Sequence, residues 1–536
     1  MKKTGFSRRE FLQIAGVLCW ACPRQGWAEE KQERPNIIFL LTDDQRAGTL
    51  GSSGNPVIKT PNLDALAAEG VRFTRAFVAE PICAPSRTTY FTGQYERVHQ
   101  VGFSSAHKLT EGQWEGTYPA LLRKSGYYTG FIGKFGVENY VFRGKAADKF
   151  DFWRAHDGWA AFFPKPQKNC AIYRDAKKDI ITPIMADSIE RFLDTLPGEK
   201  PFCLSVSFSA PHGSISGTMY PNERGDTRMT HPANENPKIT NHPIYGSLYR
   251  DKEMEIPSTV EKDPGKYIPA EVLDQSMRKQ TYSYDYHKKT CREHYYRYYQ
   301  LITGVDAVVG QMRESLKKRG LDKNTVIMFT SDHGLLMGEY GMGGKGLLYD
   351  LATRVPLILY DGRMSRDNRA KQIEELVIST DIAPTILSLA GVKLPKGMQG
   401  KNLMELVQQP EKNGREDIFL ESLYVGRHNP LIEGVRSKKW KYIRFFENPG
   451  RVGEGIVAHY GRYIDKDVDF RGKEPILEQL FDLEYDAKEV NNLAGKPQYK
   501  EVLQKFQDKC ESYSREMIKQ REENKQRYGF EKGTSS

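Results

Sequence analysis

The sequence predicts an α/β protein with a large, mostly parallel central sheet flanked by helices and a smaller C-terminal domain of antiparallel sheet plus helix. Short apolar runs rich in β-branched residues alternate with helical patterns, which is typical of parallel strands joined by covering helices. At 536 residues, with 39% hydrophobic and 28% charged residues, the chain has the length and composition of a globular protein. No apolar run beyond the N-terminal region is long enough to span a membrane, so we expect no membrane span in the mature chain.

The first 28 residues have the pattern of an export signal. Two lysines and the pair Arg8-Arg9 precede a short apolar stretch over residues 14–22, and small residues follow before the predicted cleavage site. The arginine pair is similar to a twin-arginine signal. An ordinary signal peptide with incidental arginines and a lipoprotein signal are the alternatives. The mature protein is therefore expected to be exported, to the periplasm or the extracellular medium.

Charge and cysteine use restrict the possible partners. Removal of the signal takes away five basic residues and one acidic residue, so the formal net charge falls from +10 to +6. This modest surplus suits an anionic substrate, but without a clustered basic run it does not indicate nucleic acid. The mature chain has no Cys-x-x-Cys pair, which argues against a structural zinc site or a disulfide framework. Its cysteines are odd in number: Cys83, Cys170, Cys203, Cys291 and Cys510.

Polar residues follow four of the predicted strands, at the point where each apolar run stops. The runs are 36–41, 129–132, 204–208 and 326–330, and the polar residues after them are Asp43, Asp44, Lys134, His212, Asp332 and His333. Open α/β sheets place their sites at the carboxyl ends of strands. We therefore expect these side chains to converge on one pocket.

Helical patterns mark the scaffold between the strands. Residues 61–69 predict an amphipathic helix that ends at Gly70, and residues 295–316 predict a longer helix. Residues 213–292 lose this periodicity and are rich in proline, asparagine, tyrosine and basic residues, which suggests a long excursion over the pocket mouth. Substrate choice is expected to reside there.

The parallel pattern fades in the last quarter of the chain. Residues 434–444 have the pattern of antiparallel strands, and a charged helix is predicted from about residue 499 to residue 527. We therefore predict a catalytic domain over residues 29–410 and a smaller α+β domain over residues 411–536.

The pentapeptide Cys83-Ala84-Pro85-Ser86-Arg87 is the strongest motif in the chain. Pro85 suits the first turn of a helix, so Cys83 would lie at a helix N-terminus, where free N–H groups favour an anion. Arg87, four residues further on, would lie near it on the same helical face. For the pentapeptide alone, a buried structural cysteine before a helix is the alternative.

Two pairs of adjacent potential ligands predict a metal site. Asp43-Asp44 directly after a strand is costly unless something positive neutralises it, and a hard divalent cation with oxygen ligands is the usual solution. Asp332-His333 offers a second pair at another strand end. Two adjacent aspartates alone are more often a solvated turn, but both pairs together with the cysteine motif favour a metal site.

Two stretches resemble a known enzyme family. Cys83 to Arg87 resembles the C-x-P-S-R element in which sulfatases have a cysteine oxidised to formylglycine, and Thr88 to Tyr95 continues the match. Residues 332–356, which include Gly344-Lys345-Gly346, resemble the second signature of that family. With further matches as far as Leu493, the chain is identified as a member of the type I sulfatases of the alkaline phosphatase superfamily.

This resemblance implies an alkaline phosphatase-like fold, sulfate ester hydrolysis and a set of site residues. A calcium ion, with magnesium as the alternative, is implied at Asp43, Asp44, the formylglycine at position 83, Asp332 and His333. Stabilisation of the transferring sulfuryl group and protonation of the leaving alcohol are implied for Arg87, Lys134, Lys345 and His212. The implied partners are a sulfated carbohydrate, cleaved at a terminal sugar, and the maturation enzyme that makes formylglycine.

One position departs from the family pattern. Where many members read G-K-W-H-L-G, this chain has Gly136 in place of the histidine, and Glu138 and Asn139 are the candidates to replace it. The N-acetylglucosamine-6-sulfatase branch is similar in lacking that histidine, which hints at a 6-O-sulfated amino sugar. Candidate glycan contacts are Trp153, Arg154, Trp159, Arg224 and Tyr249.

Two other functions stay open from the sequence. Relatives in the superfamily hydrolyse phosphate or phosphonate esters with similar side chains. Alternatively, the protein is a non-catalytic binder of sulfated glycans in which Cys83 stays a thiol. The presence of Arg87, Lys134, Lys345 and the carboxylates argues against the binder, since it has no use for so many charge-stabilising groups around a nucleophile.

Overall fold

Sixteen strands occur in the described part of the computed structural model, which comprises residues 34–103, 108–137, 140–158, 164–165, 167–198, 200–212, 247–260, 262–273, 285, 287–365, 369–423, 429–447 and 468–528. In chain order they are β1 (Asn36–Asp43), β2 (Val71–Phe77), β3 (Leu109–Thr110), β4 (Tyr128–Lys134), β5 (Tyr140–Val141), β6 (Phe152–His156), β7 (Phe202–Pro211), β8 (Thr325–Ser331), β9 (Leu336–Met337), β10 (Gly343–Gly344), β11 (Arg354–Asp361), β12 (Lys371–Ile378), β13 (Asp417–Ser422), β14 (Leu431–Ser437), β15 (Trp440–Phe446) and β16 (Leu477–Asp482). The export signal predicted over residues 1–28 lies outside the described residues.

Eight of these strands form the central sheet, in the order β12-β2-β11-β8-β1-β7-β4-β6. Every neighbouring pair is parallel except those of β11, which is antiparallel to both β2 and β8. The predicted large, mostly parallel sheet is confirmed. The four strands that the sequence marked by polar ends, β8, β1, β7 and β4, are consecutive in the sheet, so their carboxyl ends lie side by side.

Strand β1 shows why the sheet has a core on both faces. All eight of its residues are buried. Successive side chains of a strand point to opposite faces; Ile37 and Phe39 accordingly belong to one apolar cluster, and Ile38 and Leu40 to the other. A continuous apolar run is therefore the pattern expected of a strand covered by helices on both sides.

The described residues contain thirteen α-helices. They are Pro61–Glu69, Cys83–Thr92, Glu96–His99, Glu111–Glu115, Tyr118–Lys124, Ile181–Asp194, Ala270–Leu273, Lys288–Lys318, Asp350–Thr353, Ile382–Leu389, Leu403–Gln408, Pro410–Asn413 and Lys500–Tyr528. The helix predicted over residues 61–69 has the predicted ends. The helix predicted from Tyr295 begins earlier, at Lys288, so the last residues assigned to the excursion are helical.

A four-stranded antiparallel sheet with the order β13-β14-β15-β16 follows the central sheet in the chain, as predicted. The C-terminal helix buries Phe506 and Met517 in an apolar cluster that includes Val435 of this sheet and Phe77 of β2. From Pro35 onward the described residues form one compact unit. The domain boundary at residue 410 stays a prediction.

None of the helices in the described ranges is both long and apolar enough to cross a membrane.

Candidate active site

Cys83 lies at the centre of the candidate site. It is the first residue of the helix Cys83–Thr92, every residue of which is buried. The Cys83 Sγ atom is 3.1 Å from Lys345 Nζ, 3.3 Å from His333 Nε2 and 3.6 Å from Asp43 Oδ1. A side chain at position 83 is therefore surrounded by groups from three separate segments of the chain.

Arg87 holds two of the predicted metal ligands together. Its Nη2 atom is 2.9 Å from Asp332 Oδ2 and 3.3 Å from Asp43 Oδ2. Its Nη1 atom donates to the Lys134 carbonyl oxygen, at 3.1 Å, and to the Ser207 hydroxyl. A guanidinium group that is buried needs such complete pairing, and only 1% of the Arg87 side chain is exposed.

The two predicted lysines each pair with one aspartate. Lys134 Nζ is 2.5 Å from Asp43 Oδ2, and Lys345 Nζ is 2.8 Å from Asp44 Oδ1. Burial alone would raise the pKa of Asp43, but the positive charge of Lys134 in particular holds that pKa well below its usual value. Both lysines can therefore reach an anion beside Cys83 while the aspartates stay ionised.

Possible metal-binding atoms converge at the carboxyl ends of the central strands. One donor atom from each of Asp43, Cys83, Asp332 and His333 lies within 4.8 Å of the others, and Asp43, Asp44 and His212 form a second such group. The Nδ1 atom of His333 lies 2.9 Å from the Gly334 carbonyl oxygen, which favours a proton on Nδ1 and directs Nε2 into the site.

These residues fit a hard divalent cation. Carboxylate oxygens are the ligands that calcium and magnesium prefer. The formal charges of the carboxylates are already balanced, because Asp43, Asp44 and Asp332 pair with Lys134, Lys345 and Arg87. A divalent cation would therefore make the site positive overall, which suits an anionic ester.

His212 is the most exposed of the predicted site residues. Its side chain follows β7, is 27% exposed, and its Nε2 atom lies 3.8 Å from Asp44 Oδ2. Burial lowers the pKa of His212, although Asp44 and Asp43 oppose this effect. A group that enters from solvent meets this imidazole at the outer side of the site.

Gly136, where the family histidine is missing, leaves no room for a side chain. Its φ angle is +72°, and a Cβ atom there would lie 2.3 Å from Arg87 Cδ. Arg87 therefore occupies the space that a residue at position 136 would need. The proposed replacements Glu138 and Asn139 lie outside the described residues.

Sequence reasoning missed a histidine beside the site. His156 ends β6 opposite Lys134, with Nδ1 3.0 Å from the Tyr173 hydroxyl and Nε2 3.4 Å from the Ser209 hydroxyl. Burial lowers the pKa of His156 to about 3, so this imidazole is neutral. Its position at a strand end, the signal used for the other residues, would have found it.

Three of the candidate glycan contacts have partners within the protein. Trp153 packs against Phe131 in an aromatic cluster, and Arg154 pairs with Asp175. Tyr249 is buried, with its hydroxyl bonded to Thr303. Burial therefore argues against a sugar contact at Arg154 and Tyr249, and the contact at the half-buried Trp153 stays a prediction; Trp159 and Arg224 lie outside the described residues.

The fold and site define a sulfatase. The sulfatase family model matches residues 35–392, and the chain belongs to that family. It is a hydrolase of sulfuric esters. A second model, described as the C-terminal region of N-sulphoglucosamine sulphohydrolase, matches residues 338–453.

Relatives of known activity are similar over almost the whole chain. An N-acetylglucosamine-6-O-sulfatase of Bacteroides thetaiotaomicron is 26% identical, and the match covers 90% of this chain and 88% of the relative. A protein solved with its substrate D-glucosamine-2-N,6-O-disulfate has a TM-score of 0.62 at 23% identity, covering 92% of this chain and 99% of that chain. A phosphonate monoester hydrolase of Agrobacterium radiobacter has a TM-score of 0.61 at 20% identity, covering 92% and 96%. These two structural likenesses concern the fold.

Proposed function

We propose that this protein hydrolyses a sulfate ester on a carbohydrate, with a formylglycine made from Cys83 and one divalent cation, calcium or magnesium. The observation that carries the proposal is the position of Cys83 at a helix start, with the Lys345 ammonium 3.1 Å from its sulfur. When hydrated, the aldehyde supplies one hydroxyl that attacks sulfur and a second whose deprotonation expels sulfate and restores the aldehyde. A thiol offers no such second step.

The basic side chains stabilise the negative charge of the transferring group. Lys134 pairs with Asp43, and Lys345 pairs with Asp44. Two separate ammonium groups are therefore available to a sulfuryl group at position 83. Asp43, Asp44, Asp332 and His333 would hold the cation, which would supply further positive charge to the site. Groups fixed in this way before reaction stabilise the transition state without reorganisation.

His212 donates the proton to the leaving alcohol. Its exposure places it toward solvent, where the sugar is expected, while Cys83 lies deeper in the site. In the free protein burial favours the neutral imidazole, and an anionic ester beside it shifts the equilibrium toward the imidazolium that can donate.

The substrate is expected to be a sulfated sugar that is cleaved at a chain end. Support comes from the N-acetylglucosamine-6-O-sulfatase relative and from the amino-sugar disulfate bound to the structural neighbour. A 6-O-sulfated amino sugar is the specific proposal. The export signal, the periplasmic or extracellular location and the action of a maturation enzyme on Cys83 belong to the same proposal.

Peptide mass spectrometry across Cys83, on protein purified from its own host, tests the nucleophile. We expect the mass of an aldehyde at position 83, sulfate release from N-acetylglucosamine 6-sulfate, and loss of release in the Cys83→Ala variant. An unmodified thiol in active protein would contradict the formylglycine mechanism, and an unmodified thiol in inactive protein would favour a glycan binder. If phosphate is released from N-acetylglucosamine 6-phosphate faster than sulfate is released from the 6-sulfate, the protein is a phosphate ester hydrolase.

A further inference from the structure

We propose that Tyr298 positions Asp44 for cation binding, through a hydroxyl group that bonds both to the carbonyl oxygen of this aspartate and to the backbone N–H of Arg46, two residues further on. Tyr298 lies in the helix Lys288–Lys318, remote in sequence from the strand end that it supports. This inference rests on the proposed cation site. It assigns to Tyr298 a role in positioning a ligand and none in contacting substrate.

Asp44 needs support because its backbone is in an unfavourable conformation. Its φ angle is +70°, a region that residues other than glycine adopt at a cost. Consecutive side chains of an extended strand point to opposite faces, so Asp43 and Asp44 would diverge if β1 simply continued. The turn at Asp44 lets both carboxylates face the site, where Asp43 contacts Lys134 and Asp44 contacts Lys345.

The Tyr298 hydroxyl satisfies two backbone groups at this turn. It donates to the carbonyl oxygen of Asp44 at 2.5 Å and accepts from the backbone N–H of Arg46 at 2.9 Å. Its side chain is fully buried, and burial raises its pKa, so the hydroxyl keeps its proton at neutral pH. Without it, the carbonyl of the strained Asp44 and the part-buried N–H of Arg46 would both lose a partner, at the turn that directly follows Asp44.

The neighbouring tyrosines of the same helix have other partners. Tyr295 contacts the side chain of Arg46, with its hydroxyl 3.0 Å from Nη1. Tyr299 accepts from Asn55 Nδ2 at 2.9 Å. Because Tyr298 and Tyr299 line the same cavity of about 270 Å³, Tyr299 is a matched control for loss of a tyrosine hydroxyl from this helix.

Calcium titration of the full-length protein by calorimetry tests the role of Tyr298. We expect Tyr298→Phe to bind Ca²⁺ about 10- to 100-fold more weakly than the wild type, the usual effect of removing a group that orients a metal ligand. Tyr299→Phe should bind like the wild type. In the Asp44→Ala background, Tyr298→Phe should cause no further loss, because the side-chain ligand that it positions is already gone. Incorporation of 4-aminophenylalanine at position 298 should restore most of the affinity, because its amine donates to the Asp44 carbonyl although it is a poor acceptor for the Arg46 N–H.

Two results would overturn the inference: wild-type affinity in Tyr298→Phe, or equal losses in Tyr298→Phe and Tyr299→Phe. If Tyr298→Phe does not fold, the 4-aminophenylalanine variant decides, and weak Ca²⁺ binding by this variant when folded contradicts the role. A wild-type protein that binds no Ca²⁺ removes both the cation site and this inference. If the wild type binds Ca²⁺ but releases no sulfate, the proposed function fails while the titrations still decide the role of Tyr298.

Discussion

A missing side chain at position 136 gives Arg87 its place in the site. The Gly136 Cα atom lies against the Arg87 side chain, and this arginine in turn contacts Asp43, Asp332 and the Lys134 carbonyl. A displacement of the guanidinium group therefore disturbs two carboxylates and one lysine at once. The departure from the family pattern is thus compatible with a complete set of charged groups.

Gly136→Ala is expected to lower kcat for sulfate release by about 100-fold, because misplacing a charge-stabilising group by 1 Å has an effect of this size. Gly54→Ala is the control: its φ angle of +86° is equally unfavourable for alanine, but apart from its chain neighbours no atom of the described residues lies within 4 Å of the added Cβ. Steady-state kinetics of both variants checks the prediction. Equal losses in the two variants would assign the effect to backbone strain instead of contact with Arg87.

Calcium affinity should increase with pH because His333 must release a proton to bind a cation. Burial lowers its pKa, but Asp332 raises it more strongly, to about 9. Below that pH the imidazolium competes with the cation, so affinity should rise about tenfold per pH unit between pH 6.5 and 8.5. Calorimetry at several pH values measures this slope. His333→Asn should abolish it; a slope that persists would show that another group releases the proton.

At the scale of the element, strand ends were predictable and one helix start was not. The runs of β1 and β8 are apolar throughout because both faces of the sheet are covered, so their ends are visible in the sequence as the first polar residues. The helix Lys288–Lys318 begins without a capping side chain at His287, and its first turns are polar. It therefore lacks the start signal on which sequence reasoning depends.

Some site residues could be predicted from the sequence, whereas others are identified only by tertiary contacts between side chains. The ligand candidates and lysines could be inferred from their positions after strands, together with the cysteine motif. Tyr298, by contrast, lies within a helix and reaches Asp44 across the fold, which no local pattern indicates. Trp153 and Tyr249 have residue types suited to sugars, yet only the packing shows that they face the core.

At the scale of the whole molecule, a buried charged network joins the helix Glu96–His99 to the C-terminal sheet. Arg97 lies 3.1 Å from Glu421 and 2.7 Å from Glu433, on the strands β13 and β14. Glu80 and Glu96 are buried beside the same network. Arg444 also pairs with Glu433, so four buried acidic groups share two arginines, which favours protonation of some of the acidic groups.

Unfolding stability should therefore fall as pH rises toward 8. Burial, reinforced by Glu421, raises the pKa of Glu96 to about 8, above the value of about 4.5 in the unfolded chain. A carboxyl group whose pKa is raised by folding contributes its full stabilisation below pH 4.5. This contribution to the free energy of unfolding is lost progressively up to pH 8. Urea unfolding measures the free energy of unfolding at pH 5 and at pH 8. The difference between the two values should be smaller by at least about 1 kcal/mol in Glu96→Gln. The exposed Glu374→Gln should leave it unchanged; the prediction fails if both variants behave alike.

The single reversed strand, β11, has a consequence for the order of assembly. Because β11 is antiparallel to β8, the connection between them leaves and re-enters the sheet at the carboxyl end of β8. This connection contains Asp332, His333 and Lys345. Closing so short a loop costs little entropy, whereas β1 must pair with β8 across the 281 residues that separate Asp43 from Thr325. One half of the site is thus built by a local event and the other half, Asp43 and Asp44, by a distant one. During refolding, the gain of calcium affinity should therefore report when the long-range pairing of β1 with β8 is complete.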